Sequence, residues 1–215
     1  MQSAPKPHNE QERLAALKKY NLLDSLPEQV YNDIARLASE ICGTPMAMFS
    51  LIDSDRQWVK AKSGIDLVES PRNISFCAHV IINPNEPMVV EDARYDERFH
   101  DNPFTTQDPH IVFYAGIPIV DPQGNALGSL CVLDSRPREL SDQKLEALKA
   151  LAKLVQTHLE LRRLTAELDQ SKAKLGSAQT ALKQVKEITN DLLNNNPRPE
   201  QVAQLQALQQ SADLP

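Results

Sequence analysis

Cys77 and His79 bring a potential nucleophile and a potential base within two positions of one another, in the run Ser70-Pro71-Arg72-Asn73-Ile74-Ser75-Phe76-Cys77-Ala78-His79-Val80. A thiol beside an imidazolium is acidified and becomes a reactive thiolate. Residues two apart on a helix point to different sides, however, so a direct pair is not expected there. The ordinary alternative is a buried cysteine acting as a small hydrophobe, beside a helix histidine bonded to a local carbonyl. Arg72, Asn73 and Ser75 offer donors to an anionic or polar ligand, with Phe76 between them and the thiol. Asp92, Arg94, Phe99, Phe104, Phe113 and Tyr114 are the candidates for an opposite wall. A mostly apolar concavity with a few convergent polar groups is the usual small-molecule site. An equally ordinary reading pairs Arg72 with Asp92 as a structural clasp and leaves the aromatics as core.

Other chemistries find less support. The histidines at 8, 79, 100, 110 and 158 show neither paired spacing nor a nearby Cys-x-x-Cys, so no metal site is expected. Six glycines do not supply a phosphate-cradling loop. A net charge of −6 and a pI near 5.4 argue against nucleic-acid binding, which needs clustered Lys and Arg. No apolar run approaches the ~20 residues of a membrane span, and the first residues hold no signal-peptide core. Three cysteines (Cys42, Cys77, Cys131), each in an apolar segment, read as reduced thiols of a cytoplasmic protein.

The elements that must position these residues follow from periodicity. Residues 1–8 hold two prolines and read as a loose, disordered tail. Leu14, Leu17 and Leu22-Leu23 space one helical face; Val30, Ile34, Leu37, Ala38 and Ile41 space a second, closed by Gly43-Thr44-Pro45. Met46–Ile52 is a strand-length apolar run, and Gln57–Lys62 alternates, with Trp58, Lys60 and Lys62 on one side and Val59 and Ala61 on the other. The two make a hairpin. Residues 63–110 are irregular, with a short helix at 75–82 and a strand at 87–91. A long excursion of this kind inside a domain is usually functional. A second hairpin follows, 111–120 and 126–134 around Asp121-Pro122-Gln123-Gly124-Asn125.

From Ser141, a good N-cap, the chain is helical. Leu145, Leu148, Leu151, Ala152, Val155 and Leu159 form a broad face. Beyond it Leu161, Leu168, Leu175 and Leu182 recur every seven residues, with Leu164, Ala178, Val185 and Leu192 at the alternate position. Such heptads predict a coiled coil over 161–193 that joins two copies through Leu161, Leu164, Leu168, Leu175, Leu182 and Val185. Ser171, Gly176 and Thr189 weaken that seam, and Glu167 would face Lys172 of a parallel partner. Asn194-Asn195-Asn196-Pro197 ends the helix, leaving 194–215 as a linker and one short helix.

This order of elements resembles a GAF domain, and particular strings carry the likeness. LDSLPEQVYNDIARLASEICGTPMAMFSLIDSDRQWVKAKSGID resembles the opening of GAF domains in bacterial sensor kinases and cyclic-dinucleotide enzymes; SPRNISFCAHVI, VVEDARYDERFHDNPF and FYAGIPIVDPQGNALGSLCVLD are similar to their later segments, in the same order. The resemblance implies an α+β domain over residues 9–160: a six-stranded antiparallel GAF/PAS-like sheet with helices on both faces. It also implies that the excursion closes over one face to make a small-molecule pocket, while terminal helices bundle with a second subunit. Particular branches of the family fit less well. The free methionine sulfoxide reductase type needs a thiol shortly after a His-Ile pair, and His110-Ile111 is followed by Val112-Phe113. The bilin-tethering Cys-His is replaced by Pro109-His110, and the Asn-Lys-Phe-Asp-Glu set of cyclic-nucleotide binders is not found. The expected function is therefore a non-catalytic sensor without a fixed cofactor, homodimeric, acting on a signalling partner in trans. The alternatives are a thiol-dependent redox enzyme using Cys77 and a purely structural dimerising adaptor.

Overall fold

The computed structural model describes residues 1–194 and Ala203. It divides into two compact units, residues 1–163 and the chain from Leu164 on.

In the first unit α1 (Glu10–Tyr20) and α2 (Gln29–Cys42) precede β1 (Met46–Ile52) and β2 (Arg56–Ser63). The excursion then carries β3 (Glu69–Pro71), a 3-10 turn (Arg72–Ile74), α3 (Phe76–Val80), β4 (Met88–Val90) and α4 (Pro103–Thr106). The second hairpin, β5 (Phe113–Val120) and β6 (Ala126–Asp134), leads to α5 (Asp142–Asn194). The six strands form one antiparallel sheet in the order β3-β2-β1-β6-β5-β4. The expected α+β architecture, with helices on both faces and a long C-terminal helix, is what the chain adopts.

Alternation along the strands sorts side chains between two cores. Ala47, Phe49 and Leu51 of β1, Phe113, Ala115 and Ile117 of β5, and Leu130 and Val132 of β6 meet α1, α2 and the first turns of α5. Met46 and Met48, Tyr114, Cys131 and Leu133 face the excursion. The first hairpin departs from simple alternation. Phe49 pairs with Ala61 and Ser50 with Val59, so Lys60 is an extra residue, a β-bulge. Trp58 and Ala61 consequently share the helix-side core, whereas Val59 joins the other one, correcting the regular pattern expected for this strand.

Local chemistry sets the helix ends. Ser75 Oγ accepts from the Ala78 amide at 3.1 Å and caps α3, and Ser141 does the same for Lys144 at the start of α5. Gly43 closes α2 at φ +68°, with the Thr44 amide reaching back to the Ser39 carbonyl at 3.0 Å.

Residues 1–8, which read as a loose tail, run along the excursion: the Gln2 amide donates to the Arg98 carbonyl at 3.3 Å, and Pro7 is buried. Within the first unit α5 buries Leu148, Ala152, Val155 and Leu159 against the sheet, while Leu154 points out, 55% exposed. Leu161, Leu164, Leu168, Leu175, Leu182 and Val185 are likewise exposed along the helix. The Gln-rich segment expected to form a linker and short helix lies, apart from Asn194 and Ala203, outside the described residues.

Candidate functional site

The face of the sheet under the excursion carries polar groups in an otherwise apolar setting. Neighbouring β1 and β6 align Ser50 with Ser129 and Met48 with Cys131; β5 adds Gly116 opposite Cys131 and Pro118 opposite Ser129. Ser50, Gln57, Ser75, Ser129, Cys77, Cys131 and Tyr114 are all buried. Ser75 donates to Gln57 Oε1, and Gln57 Nε2 donates to Ser50 Oγ at 3.3 Å. Tyr114 donates to Cys77 Sγ at 3.3 Å and lies 3.5 Å from Ser129 Oγ, while the sulfurs of Cys77 and Cys131 are 3.8 Å apart. Gly116 makes this possible. A Cβ there would stand 2.5 Å from the Tyr114 hydroxyl, so only glycine lets the ring lie flat along the strand.

Above this layer Phe76 stacks on Phe99, centroids 3.9 Å apart and planes 9° from parallel, and Phe76 tilts against Tyr114 at 5.2 Å. His79 meets the Phe99 ring edge-on at 4.8 Å and its Nε2 lies 3.1 Å from the Gln2 carbonyl. Burial pushes the His79 pKa down, with the Gln2 carbonyl opposing and Arg98 adding to the fall. The N-terminal segment thus closes the outer side of this layer.

Several expected site residues are placed elsewhere. Asn73 is exposed on the 3-10 turn, and Phe104 is only partly buried at the margin of the aromatic layer. Phe113 lies on the opposite face, against the helices, because it precedes Tyr114 in the same strand and neighbours in a strand alternate. Asp92 does not meet Arg72. It makes a local pair with Arg94, Oδ2 to Nη2 at 2.6 Å, at the surface. Arg72 instead shares Glu10 with Arg13. Arg13 donates to both Glu10 oxygens at 2.9 and 3.0 Å and to the Ile52 carbonyl at 2.6 Å. Arg72 contacts Glu10 through both terminal nitrogens and donates to the Asp53 carbonyl at 2.9 Å. Burial alone would raise the Glu10 carboxyl, but hydrogen bonds and charge from Arg13 and Arg72 outweigh it and hold the pKa at about 2. This triad fastens α1 to the root of the excursion.

The expected site residues that the structure does gather are therefore Ser75, Phe76, Cys77, His79, Phe99 and Tyr114. Sequence reasoning passed over Ser50, Gln57 and Ser129, and read Cys131 only as a reduced thiol in an apolar segment. For the two serines the signal is a hydroxyl inside each of two apolar strands. Among the described residues no group of three or more His, Cys, Asp or Glu converges as a metal site, and no helix is long and apolar enough to cross a membrane.

Fold and sequence agree on the family. The GAF domain profile matches residues 26–159. The chain belongs to the GAF domain family. A Pseudomonas aeruginosa protein named as a cyclic di-GMP phosphodiesterase is 37% identical over 171 residues, which is 79% of this chain and 29% of that protein. The GAF chain thus spans less than a third of that relative's length. Among solved structures, the PixJ GAF domain of Thermosynechococcus elongatus in its blue-light-absorbing form superposes with a TM-score of 0.53 at 15% identity, covering 69% of this chain and 92% of that one. The free methionine-R-sulfoxide reductase of Neisseria meningitidis gives 0.52 at 18% identity, covering 72% and 90%. At such identities these likenesses are of fold alone.

Proposed function

We propose that this GAF domain is a non-catalytic cytoplasmic sensor that binds a small polar molecule between its sheet and the excursion and signals through α5. The observation that supports this reading most is the polar layer of Ser50, Gln57, Ser75, Ser129 and Tyr114 beneath the aromatic lid. Aromatic packing over the sheet is what a purely structural dimeriser would also have. Such a core needs Ser75 to cap α3, but apolar side chains at Ser50, Gln57 and Ser129 would serve it without the desolvation that these groups offset only by bonding their neighbours. In the sensor the ligand displaces Phe76 and Phe99 and takes over the bonds these groups now make to one another. The two states differ in how the excursion and N-terminal segment lie on the sheet, and the ligand shifts their populations.

The output surface we assign to the heptad seam of α5. Leu154, Leu161, Leu168, Leu175 and Leu182 hold one phase, and two copies joined there bury it as a coiled coil. The signalling partner in trans is, in this reading, an enzyme of cyclic-dinucleotide turnover, the class to which the Pseudomonas aeruginosa relative is assigned by name.

Native mass spectrometry of the protein purified gently from cells tests both parts. A dimer carrying a dissociable added mass, lost in a Gln57→Leu variant of unchanged fold, is the expected outcome. A bare dimer with no ligand acquired from any metabolite extract would leave the structural adaptor as the better account. A monomer would remove the output mechanism.

A further inference from the structure

Cys77 and Cys131 are 54 residues apart in sequence, one on the short helix of the excursion and one on a central strand, yet their sulfurs are 3.8 Å apart with nothing between them. Both are buried, and both are free thiols. Cys77 Sγ is the focus of the polar layer, taking the Tyr114 hydroxyl at 3.3 Å with the Cys131 thiol beside it. Donors converging on one sulfur favour its thiolate and leave the second sulfur poised to attack it. The hydrogen bond from Cys131, followed by those from Ser129, Tyr114 and Ser50, moves the Cys77 thiol down against its burial, while burial moves Cys131 up. The Tyr114 hydroxyl bonded to the Cys77 sulfur at 3.3 Å makes Cys77 the acceptor of oxidant and Cys131 the resolver. Cys42 sits in the other core, against the helices, with its thiol raised by burial.

We infer that Cys77 and Cys131 form an oxidisable dithiol, a modification site at which a small hydroperoxide closes a disulfide between the excursion and the sheet. With hydrogen peroxide, the Cys77 sulfur attacks the terminal oxygen. An S–O bond forms, the O–O bond breaks, and the thiol proton leaves with the departing hydroxide as water. The Cys131 sulfur then attacks the Cys77 sulfenic acid. The S–S bond forms, the S–O bond breaks, and the Cys131 proton leaves in a second water. Each sulfur gives one electron, and the peroxide takes both. The disulfide ties α3 to β6 and holds the aromatic lid on the polar layer. Its formation does not depend on the sensor reading; the consequence that oxidation blocks ligand entry rests on that reading.

The test uses the full chain, reduced, desalted, exposed to hydrogen peroxide, quenched with N-ethylmaleimide in denaturant, and digested without reductant for peptide mass spectrometry. The expected result is a linked pair of peptides containing Cys77 and Cys131, with Cys42 recovered alkylated. In Cys131→Ser, Cys77 stops at a sulfenic acid that dimedone captures; in Cys77→Ser, Cys131 stays reduced. Full alkylation of all three cysteines, under peroxide that consumes free glutathione, would overturn the inference, as would oxidation of Cys77 with no link to Cys131. Because the decisive digest needs only the wild-type chain, a variant that folds poorly does not spoil it. Hydrogen exchange across residues 72–82 should slow about tenfold or more in the oxidised form. Unchanged exchange in a chain shown to be cross-linked would overturn the locking role, and would do so whether or not a ligand binds.

Discussion

Arg162 Nη1 lies 2.6 Å from Glu28 Oε1, and the same carboxylate oxygen takes the ammonium of Lys60 at 2.8 Å. One carboxylate at the start of α2 thereby joins the bulged strand β2 to α5. Two further bonds surround it: His158 Nδ1 meets the Tyr31 hydroxyl at 3.2 Å, and Tyr20 donates to Glu160. The last turns of α5 within the first unit are therefore clasped to α1, α2 and β2. Burial would raise the Glu28 carboxyl, but Lys60 and Arg162 more than reverse this and hold it below its ordinary value.

Glu28→Gln should therefore cost much more than Arg162→Ala. The Lys60 side chain is fully buried, and removing its counter-charge strands an ammonium in the core, at about 3 kcal/mol or more. Arg162 is one-third exposed, and its loss should cost under about 1 kcal/mol. Urea unfolding of the two variants, followed by circular dichroism, measures both. Equal losses would mean that Ser25 Oγ and the Leu26 carbonyl, which accept from Lys60 at 2.7 Å each, hold the ammonium without Glu28.

Glu10 sets part of the acid limb of stability. Its folded pKa of about 2 lies below the ordinary 4.5, so its contribution is complete above about pH 4.5 and drains away as the pH falls toward 2. Discounted for the water that still reaches the carboxylate edge, the contribution is about 2 kcal/mol. Glu10→Gln strands Arg13 and Arg72 together and should destabilise the domain at pH 7 by about 3–5 kcal/mol, with a shallower acid limb. Unfolding midpoints between pH 2 and 7 give the comparison, and parallel curves for the two proteins would refute the assignment.

Gly116→Ala should displace Tyr114 from the strand. The new Cβ would sit 2.5, 2.8 and 2.9 Å from three atoms of the tyrosine. Overpacking of this order costs about 1–3 kcal/mol. The tyrosine hydroxyl would also leave Cys77, so alkylation of the thiol should change along with the unfolding midpoint.

Leu168→Asp with Leu175→Asp tests the seam. Both leucines are exposed, at 53% and 61%, so a folded first unit should not depend on them. Each buries about 1.5–3 kcal/mol of apolar contact per chain if two copies join, so the double change should weaken association by at least about 100-fold. Sedimentation equilibrium reads the association, and an unchanged thermal midpoint for the domain confirms that only the seam was touched.

The hairpins, the first two helices and the long helix were legible in the sequence because each rests on local spacing that the sheet or a helix face must repeat. Gly43 and Ser141 announced their caps in the same local way. What spacing could not convey were relations across long loops. Arg72 finds Glu10 across 62 residues, and the expected partner Asp92 is satisfied by Arg94 two residues away, a closer and cheaper match. Phe113 and Tyr114 looked alike as aromatics, and only the sheet register separates them. Ser50 and Ser129 each interrupt an apolar run once, too briefly to stand out until the strands lie side by side.

The bulge at Lys60 has a practical consequence. Trp58 is the single tryptophan of the chain, buried in the helix-side core with the Lys60 ammonium 5.8 Å from its ring. Indole emission responds to the local electric field, and the Lys60 ammonium at 5.8 Å contributes to that field. The protein consequently carries its own optical gauge at the Lys60–Glu28–Arg162 junction, so movement of that junction can be followed in the unlabelled protein by the colour of its fluorescence.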